Sequence, residues 1–385
     1  MSQDTTSQTS PFPAPEEMRI SSVSDFIEKI VQRDQEVGTE SFYRGHADES
    51  WKLLPSIFRA PNGVEKEHLL FRDMVAHEPQ SFSECKSALD YLVQMQHYGL
   101  PTRLLDMTTN PLVALYFACQ PADDDVAAVA ISGARAGLSV IGDLYIEKRE
   151  PQNLGQAVIL SGLLAAVGAK KIAVNIATSI FKNGSAFKRD VELATEAAVK
   201  AGNEARDRDG VVYLFSVPED KVKHYDSDTV SVLANLAKCK ISEQCSACLS
   251  VEDFNDQLDI KFLLHQIKGE KPHFLPSIQP GTLSSLFFVK AKNGNQRITN
   301  QMGAFLLFGL GVKQTKASGS DGEVNLLTKS EHAEVPAEWI KKKLIIPKEC
   351  KADILKELAL LGITDSYIYP GMEQYAKELK KKYEL

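Results

Sequence analysis

The sequence has no apolar run long enough to cross a membrane, no excess of positive charge and no repeating pattern of cysteines. Its most apolar stretch, 154–169, falls short of the roughly twenty residues a helical span needs and is followed by Lys170 and Lys171. A formal net charge of −7 argues against a general nucleic-acid or anionic-membrane surface, although a local basic pocket remains compatible with it. The six cysteines (Cys85, Cys119, Cys239, Cys245, Cys248 and Cys350) are scattered. Cys245 and Cys248 form one CxxC, but no second pair stands at zinc-ligand spacing, so ordinary thiols are expected and no metal site. The opening MSQDTTSQTSPFPAPEE lacks the basic and apolar regions of an export signal. Residues 1–18 are therefore expected to be a disordered tail, and the protein cytoplasmic with reduced thiols. Nor is there an internal repeat. What is present is a chain of 385 residues with an ordinary apolar fraction of 43%, ample for one large domain or two.

The chain is organised around 91–119, YLVQMQHYGLPTRLLDMTTNPLVALYFAC, which reads as helix, irregular loop, helix. Gly99 and Pro101 stop the first helix, and Asn110 with Pro111 starts the second as N-cap and first helical residue. Between them lie Thr102, Arg103, Asp106, Thr108 and Thr109. A cation, a carboxylate and hydroxyls beside the orphan N–H groups of a helix start suit a phosphate or other anion. The helix LVALYFA behind them is apolar nearly all round and is expected to be buried. The alternative is that Arg103 and Asp106 form a local ion pair that braces the loop.

Upstream, Ser24 is positioned to cap a helix DFIEKIVQR, and SFYRGH reads as a short strand. Gly45 there allows close approach of a ligand or of another backbone, which makes Arg44 a candidate ligand arginine. A helix over 64–77 is expected to turn Leu69, Leu70, Met74 and Val75 inward. Between 121 and 209 the chain becomes rich in Ala, Gly, Val and Ile. A buried helical hairpin is the reading, with a membrane-active or oligomerising hairpin as the alternative. VVYLFSVP after Gly210 suits a central strand, Ser227 a helix cap, 251–267 a helix and LSSLFFVKAK a strand. In NQRITNQMGAFLLFGLG either a helix or a strand points Arg297 and Gln301 the same way. Residues 313–330 read as a polar loop, KLIIP as a strand, ADILKELALLG as a helix stopped by Gly362, and GMEQYAKELKKKY as a final exposed helix.

Together these blocks resemble the FRG-domain family, named for an F/Y-R-G motif, here Tyr43-Arg44-Gly45. The likeness continues through LLPSIFR, QHYGLPTRLLDMTTNPLVALYFA, GVVYLF, EKPHF, QRITNQMGAF and LGITDSYIYPGME. It covers 20–125 and 208–385 and leaves 122–207 unexplained. The resemblance implies an intracellular, microbial protein of the kind linked to defence against phage, and no established reaction. A fainter likeness is to ADP-ribosyltransferases, which carry an early Arg or His, a hydroxyl patch leading into a helix, and a late Glu. Arg44, Thr108-Thr109 before ALYFA, and the QRITNQ block follow that order, with Gln301 where those enzymes have Glu. Gln301 brings no negative charge to stabilise a ribosyl cation, and Asp106 is the acidic side chain that would substitute.

The expected fold is thus α+β, a single mixed-sheet domain (19–125 with 208–385) interrupted by an inserted apolar helical subdomain at 126–207. The expected site binds a nucleotide-type small molecule, NAD as substrate in the most concrete version. Asp106 and Gln301 take the catalytic role, and Arg44, Gly45, His97, Arg103, Thr108, Thr109, Asn110 and Arg297 the binding role. Arg44, Arg103 and Arg297 are expected to converge on one cavity. A non-catalytic sensor or interaction protein is the alternative, with 126–207 as the surface for a protein partner or homo-oligomer, or as a membrane-contacting effector.

Overall fold

The computed structural model describes 15–32, 36–60, 62–122, 208–242, 245–292, 294–316, 323–328, 331–372, 375–376 and 379–380. The expected insertion over 126–207, nearly all of the expected tail, and much of the final helix lie outside these residues. One strand, Glu16–Arg19, begins inside the stretch read as tail and pairs in parallel with a later strand.

The elements run β1 (Glu16–Arg19), α1 (Val23–Val31), β2 (Thr39–His46), α2 (Ser56–Arg59), α3 (Gly63–His77), α4 (Ala88–His97), β3 (Leu104–Thr108) and α5 (Pro111–Ala118). After the undescribed stretch come β4 (Gly210–Pro218), β5 (Val222–His224), α6 (Asp228–Asn235), α7 (Val251–Asp256), α8 (Leu258–Glu270), β6 (Leu286–Lys290) and α9 (Gln296–Asn300). The chain continues through β7 (Gly303–Phe308), β8 (Gly311–Lys316), β9 (Glu323–Thr328), β10 (Ile340–Ile346), α10 (Lys351–Leu360) and α11 (Asp365–Ile368).

Local chemistry sets most boundaries. Ser22, rather than Ser24, caps α1, its Oγ accepting the Asp25 N–H at 3.1 Å. Ser87 and Asp90 form a reciprocal capping box on α4, and Gly99 ends that helix at φ +80°. Asn110 Oδ1 accepts the Leu112 N–H at 2.9 Å and Pro111 occupies the first turn of α5, whose residues Val113, Ala114, Leu115, Tyr116 and Ala118 are all buried. Two expectations change. The inward side of α3 carries Val64, Glu67 and Phe71, with Leu70, Met74 and Val75 half-buried against the same core as expected, while Leu69 is exposed. The polar loop over 313–330 instead contributes to a β8–β9 ladder with register Gly311↔Thr328 to Lys316↔Glu323.

Eight strands form one mixed sheet in the order β1-β10-β4-β2-β3-β7-β6-β5. Both edge pairs are parallel and the pairs between them antiparallel. The loop expected between Gly99 and Asn110 is in fact a central strand, β3, whose five residues pair with β7 along their whole length. On its other side β3 meets β2 at a single pair, Tyr43↔Thr108. The sheet therefore has a seam where two four-stranded halves are joined at one point and splay apart. They curl toward each other on one face. Phe42 of β2 and Phe215 of β4 reach Phe288 of β6 with ring centroids 4.6 and 5.7 Å apart, although these strands are not neighbours. Burying each such ring contributes on the order of 1.5–3 kcal/mol. The opposite face is covered by α1, α5 and α10 over one half, and by α4, α6 and α8 over the other.

Candidate functional site

The seam is where the polar side chains gather. Beyond Tyr43↔Thr108 the ladder stops, and Arg44 Nη1 donates instead to the Asp106 carbonyl at 2.7 Å, with Asp106 Oδ2 3.9 Å away. Asp106 is the outward residue of β3, its side chain 56% exposed, and its Oδ1 accepts from Gln96 Nε2 at 2.7 Å. His97 follows Gln96 at the end of α4. Its Nδ1 lies 3.4 Å from Asn295 Nδ2. Asn295 Oδ1 already accepts the Ile298 N–H as the cap of α9, so the amide faces His97 with its donor. His97 Nδ1 is then an acceptor and the ring proton sits on Nε2.

Arg297 of α9 completes the group, its guanidinium carbon 4.9 Å from the centre of the Tyr369 ring, a cation–π stack. Phe117 of α5 meets the same ring edge-on at 6.3 Å. The charges act on one another. Burial, with the Arg297 charge second, holds His97 below the usual histidine range, and Asp106 opposes both. Burial pushes the Tyr369 phenol up, with Asp106 and Asp365 adding to it and Arg297 and Arg44 pulling the other way. Arg44, His97, Asp106, Arg297 and Tyr369 thus share one electrostatic neighbourhood, although they come from five separate segments.

Arg103 does not join them. It is 1% exposed, and its Nε donates to Glu67 Oε1 at 3.0 Å, its Nη1 to the Phe308 carbonyl at 3.0 Å, and its Nη2 to Glu67 Oε2. The expected convergence of three arginines is therefore a convergence of two, and the carboxylate bracing Arg103 is Glu67, not Asp106. Arg103 and Asp106 are three residues apart on an extended chain, which sends their side chains to opposite faces.

Other expected ligand residues hold protein groups. Thr108 Oγ1 donates to the Gln301 carbonyl at 2.6 Å and accepts the Asn110 N–H at 2.9 Å. Thr109 N–H donates to the Met302 carbonyl at 3.1 Å. The Asn110 side chain caps α5. Gln301 Nε2 donates to the Ile368 carbonyl at 3.0 Å, and beside it Asn300 Nδ2 reaches the Tyr367 carbonyl at 2.7 Å. These contacts tie the 364–369 segment and the start of α5 to α9. They give Gln301 a structural role, and they are why Tyr369 stands over Arg297. At Gly45 the close neighbour is backbone: a Cβ there would lie 1.9 Å from the Ala114 carbonyl oxygen of α5.

Two contributors escaped the sequence reading. Gln96 lies in the QHYGLPTRLLD block one residue before His97, and β3 brings Asp106 back to it. Tyr369 lies in the LGITDSYIYPGME block, with no periodicity or charge to mark it. Among the described residues no group of His, Cys, Asp and Glu is placed to hold a metal ion, and no helix is long and apolar enough to cross a membrane. Asn325 N–H donates to Cys248 Sγ at 3.3 Å, and Cys245 is a buried free thiol that burial pushes up to about 12.

No curated protein and no solved structure matches the chain. A family model does: residues 39–126 match the FRG domain. That span runs from β2 through α5, and so holds Arg44, Gln96, His97 and Asp106 together with the seam that displays them. The chain thus contains an FRG domain over that span.

Proposed function

We propose that Arg44, His97, Asp106 and Arg297, with Tyr369, form a site for a nucleotide-type ligand, and that the protein consumes NAD as an ADP-ribosyltransferase-like effector in defence against phage. One observation carries the reading: two guanidinium groups from distant segments flank a single exposed carboxylate and an aromatic ring at the point where the sheet splays. Guanidinium groups suit phosphate oxygens, through charge-assisted and often bidentate hydrogen bonds. A carboxylate between them suits the other end of the chemistry. As the glycosidic C1′–N bond of NAD breaks, its electron pair leaves on nicotinamide and positive charge develops on the ribose. Asp106 stabilises that charge. Water or an acceptor side chain then adds at C1′ and releases its proton to bulk water, while His97, whose Nδ1 is taken by Asn295, offers its Nε2–H as a donor at the edge of the site.

The test is NAD titration by calorimetry alongside nicotinamide release. Arg297→Ala is expected to weaken NAD binding about ten- to a hundredfold, the loss of one charge-assisted contact of roughly 1.5–3 kcal/mol. Wild-type protein that neither binds nor turns over NAD would overturn the reading. The second reading, a non-catalytic sensor or interaction protein, draws on the number of polar residues engaged with protein groups: Arg103, Thr108, Asn110 and Gln301. Nucleotide binding without nicotinamide release would favour it.

A further inference from the structure

An exposed carboxylate is ordinarily free to rotate. Asp106 is not, and the restraint extends three groups into the interior. Thr102, buried at 1% exposure, accepts the Leu104 N–H on its Oγ1 at 3.3 Å. Its hydroxyl proton is therefore directed elsewhere, and it donates to Gln96 Oε1 at 2.6 Å. With the oxygen of the Gln96 amide taken, the nitrogen must face the other way, where it donates to Asp106 Oδ1 at 2.7 Å. The orientation is forced twice over, because a carboxylate only accepts and a carbonyl oxygen turned toward it would repel it. Arg44 fixes the other side by holding the Asp106 carbonyl at 2.7 Å. Only Oδ2 remains clear of the relay, 3.9 Å from Arg44 Nη1.

We infer that Gln96 is a positioning residue for Asp106, set in its own orientation by Thr102, and that this relay presents Oδ2 to the reacting ribose. The geometry of the relay is independent of the ligand, whereas its consequence for chemistry rests on the NAD reading above. Gln96 touches no substrate in this scheme and acts through the carboxylate. The relay also accounts for three polar residues of the QHYGLPTRLLD block: the helix end supplies Gln96, the turn supplies Thr102, and the strand returns Asp106 to meet them.

The experiment has two arms. In the first, nicotinamide release is measured for wild type, Gln96→Leu, Thr102→Val and Thr102→Ser. Gln96→Leu is expected to lower kcat about ten- to a hundredfold with KM for NAD little changed, the signature of misplaced chemistry rather than lost binding. Thr102→Val moves kcat in the same direction, and Thr102→Ser, which keeps the hydroxyl, restores it. A loss of stability alone would not be rescued in kcat by serine. In the second arm, hydrogen exchange of the Gln96 side-chain amide is followed by NMR in the ligand-free protein. Slow exchange is expected in wild type and fast exchange in Thr102→Val and in Asp106→Ala. If wild type lacks NAD turnover, the NAD reading fails and the second arm alone judges the relay. Wild-type exchange as fast as that of exposed glutamines would overturn the relay, and so would unchanged kcat in Gln96→Leu beside an active wild type.

Discussion

Arg103 and Arg297 carry the same guanidinium into opposite environments. Arg297 lies half-buried against an aromatic ring, with its charge available to the seam. Arg103 is enclosed, paired with Glu67 and bonded to the Phe308 carbonyl. Removing one partner of a buried pair leaves the other charge uncompensated, at a cost of about 3–5 kcal/mol, whereas replacing both by apolar side chains of similar volume is often near neutral. Arg103→Met is therefore expected to lower the urea unfolding midpoint sharply. Arg103→Met with Glu67→Leu should recover most of the loss, and NAD affinity should be unchanged in the double variant. A double variant as unstable as the single would show that the Phe308 carbonyl, not Glu67, is what Arg103 satisfies. The sequence could not separate these two arginines. Arg103 stands beside Asp106 in the chain, while its true partner lies 36 residues upstream on α3, a helix rich in charge of both signs. Arg297 and Gln301 were legible as a pair of polar side chains sharing one direction, but the carbonyl that takes the Gln301 amide comes from Ile368, which no local spacing reveals.

At the scale of elements, helix ends were the most legible features, because caps are satisfied by residues a few positions away. Asn110 before Pro111, Gly99 after α4 and Ser227 before α6 all occur where their chemistry requires. β3 was not legible. LLDMT is five residues long, sits among polar neighbours, and becomes a strand because β7 pairs with its whole length. The packing of α5 on β2 and β4 has a similar mixed status. Gly45 announced a close approach, but only the fold shows the approaching backbone to be that of Ala114, with Gly210 likewise against the Ala118 carbonyl. Two glycines on adjacent strands thus form the bed on which α5 rests, and α5 in turn anchors the Thr108–Asn110 turn. Gly45→Ala would place a methyl 1.9 Å from a carbonyl oxygen that cannot move without lifting the helix. It is expected to destabilise by about 1–3 kcal/mol or more, as overpacking does. Thermal unfolding measures it, and because the helix shift carries Asn110 and Thr108 with it, the variant that remains folded should also bind NAD more weakly. A melting temperature equal to wild type would show that α5 rides on β2 more loosely than this packing requires.

For the molecule as a whole, the sheet is completed by segments from both sides of the long stretch between α5 and β4. β4 pairs with β2 along eight residues and with β10 along most of its length, so the C-terminal half is integral to the architecture that the first half begins. The points where the chain leaves and re-enters are close together. The Ala118 carbonyl oxygen lies 2.1 Å from where a Cβ on Gly210 would stand. Lys351 Nζ donates to the Gln120 carbonyl at 3.3 Å and to the Ala47 carbonyl at 2.6 Å, while the Glu49 N–H donates to the Asp209 carbonyl at 2.9 Å. Both stumps are thus held against the same end of β2, and the FRG match also stops at 126. A short bridge can span the two ends, since closing a loop of this kind costs little and depends only weakly on its length. Deleting 124–206 and joining the ends with about six Gly and Ser residues is expected to leave the sheet intact. Circular dichroism should lose signal in proportion to the segment removed, and the main thermal transition should shift by no more than about 2–4 °C, equivalent to roughly 1 kcal/mol. NAD affinity should be retained, because Arg44, His97, Asp106, Arg297 and Tyr369 all lie outside the deletion. If the shortened protein is unfolded, 124–206 supplies part of the core that α5 and β4 need, and the reading of that stretch as an insertion is wrong.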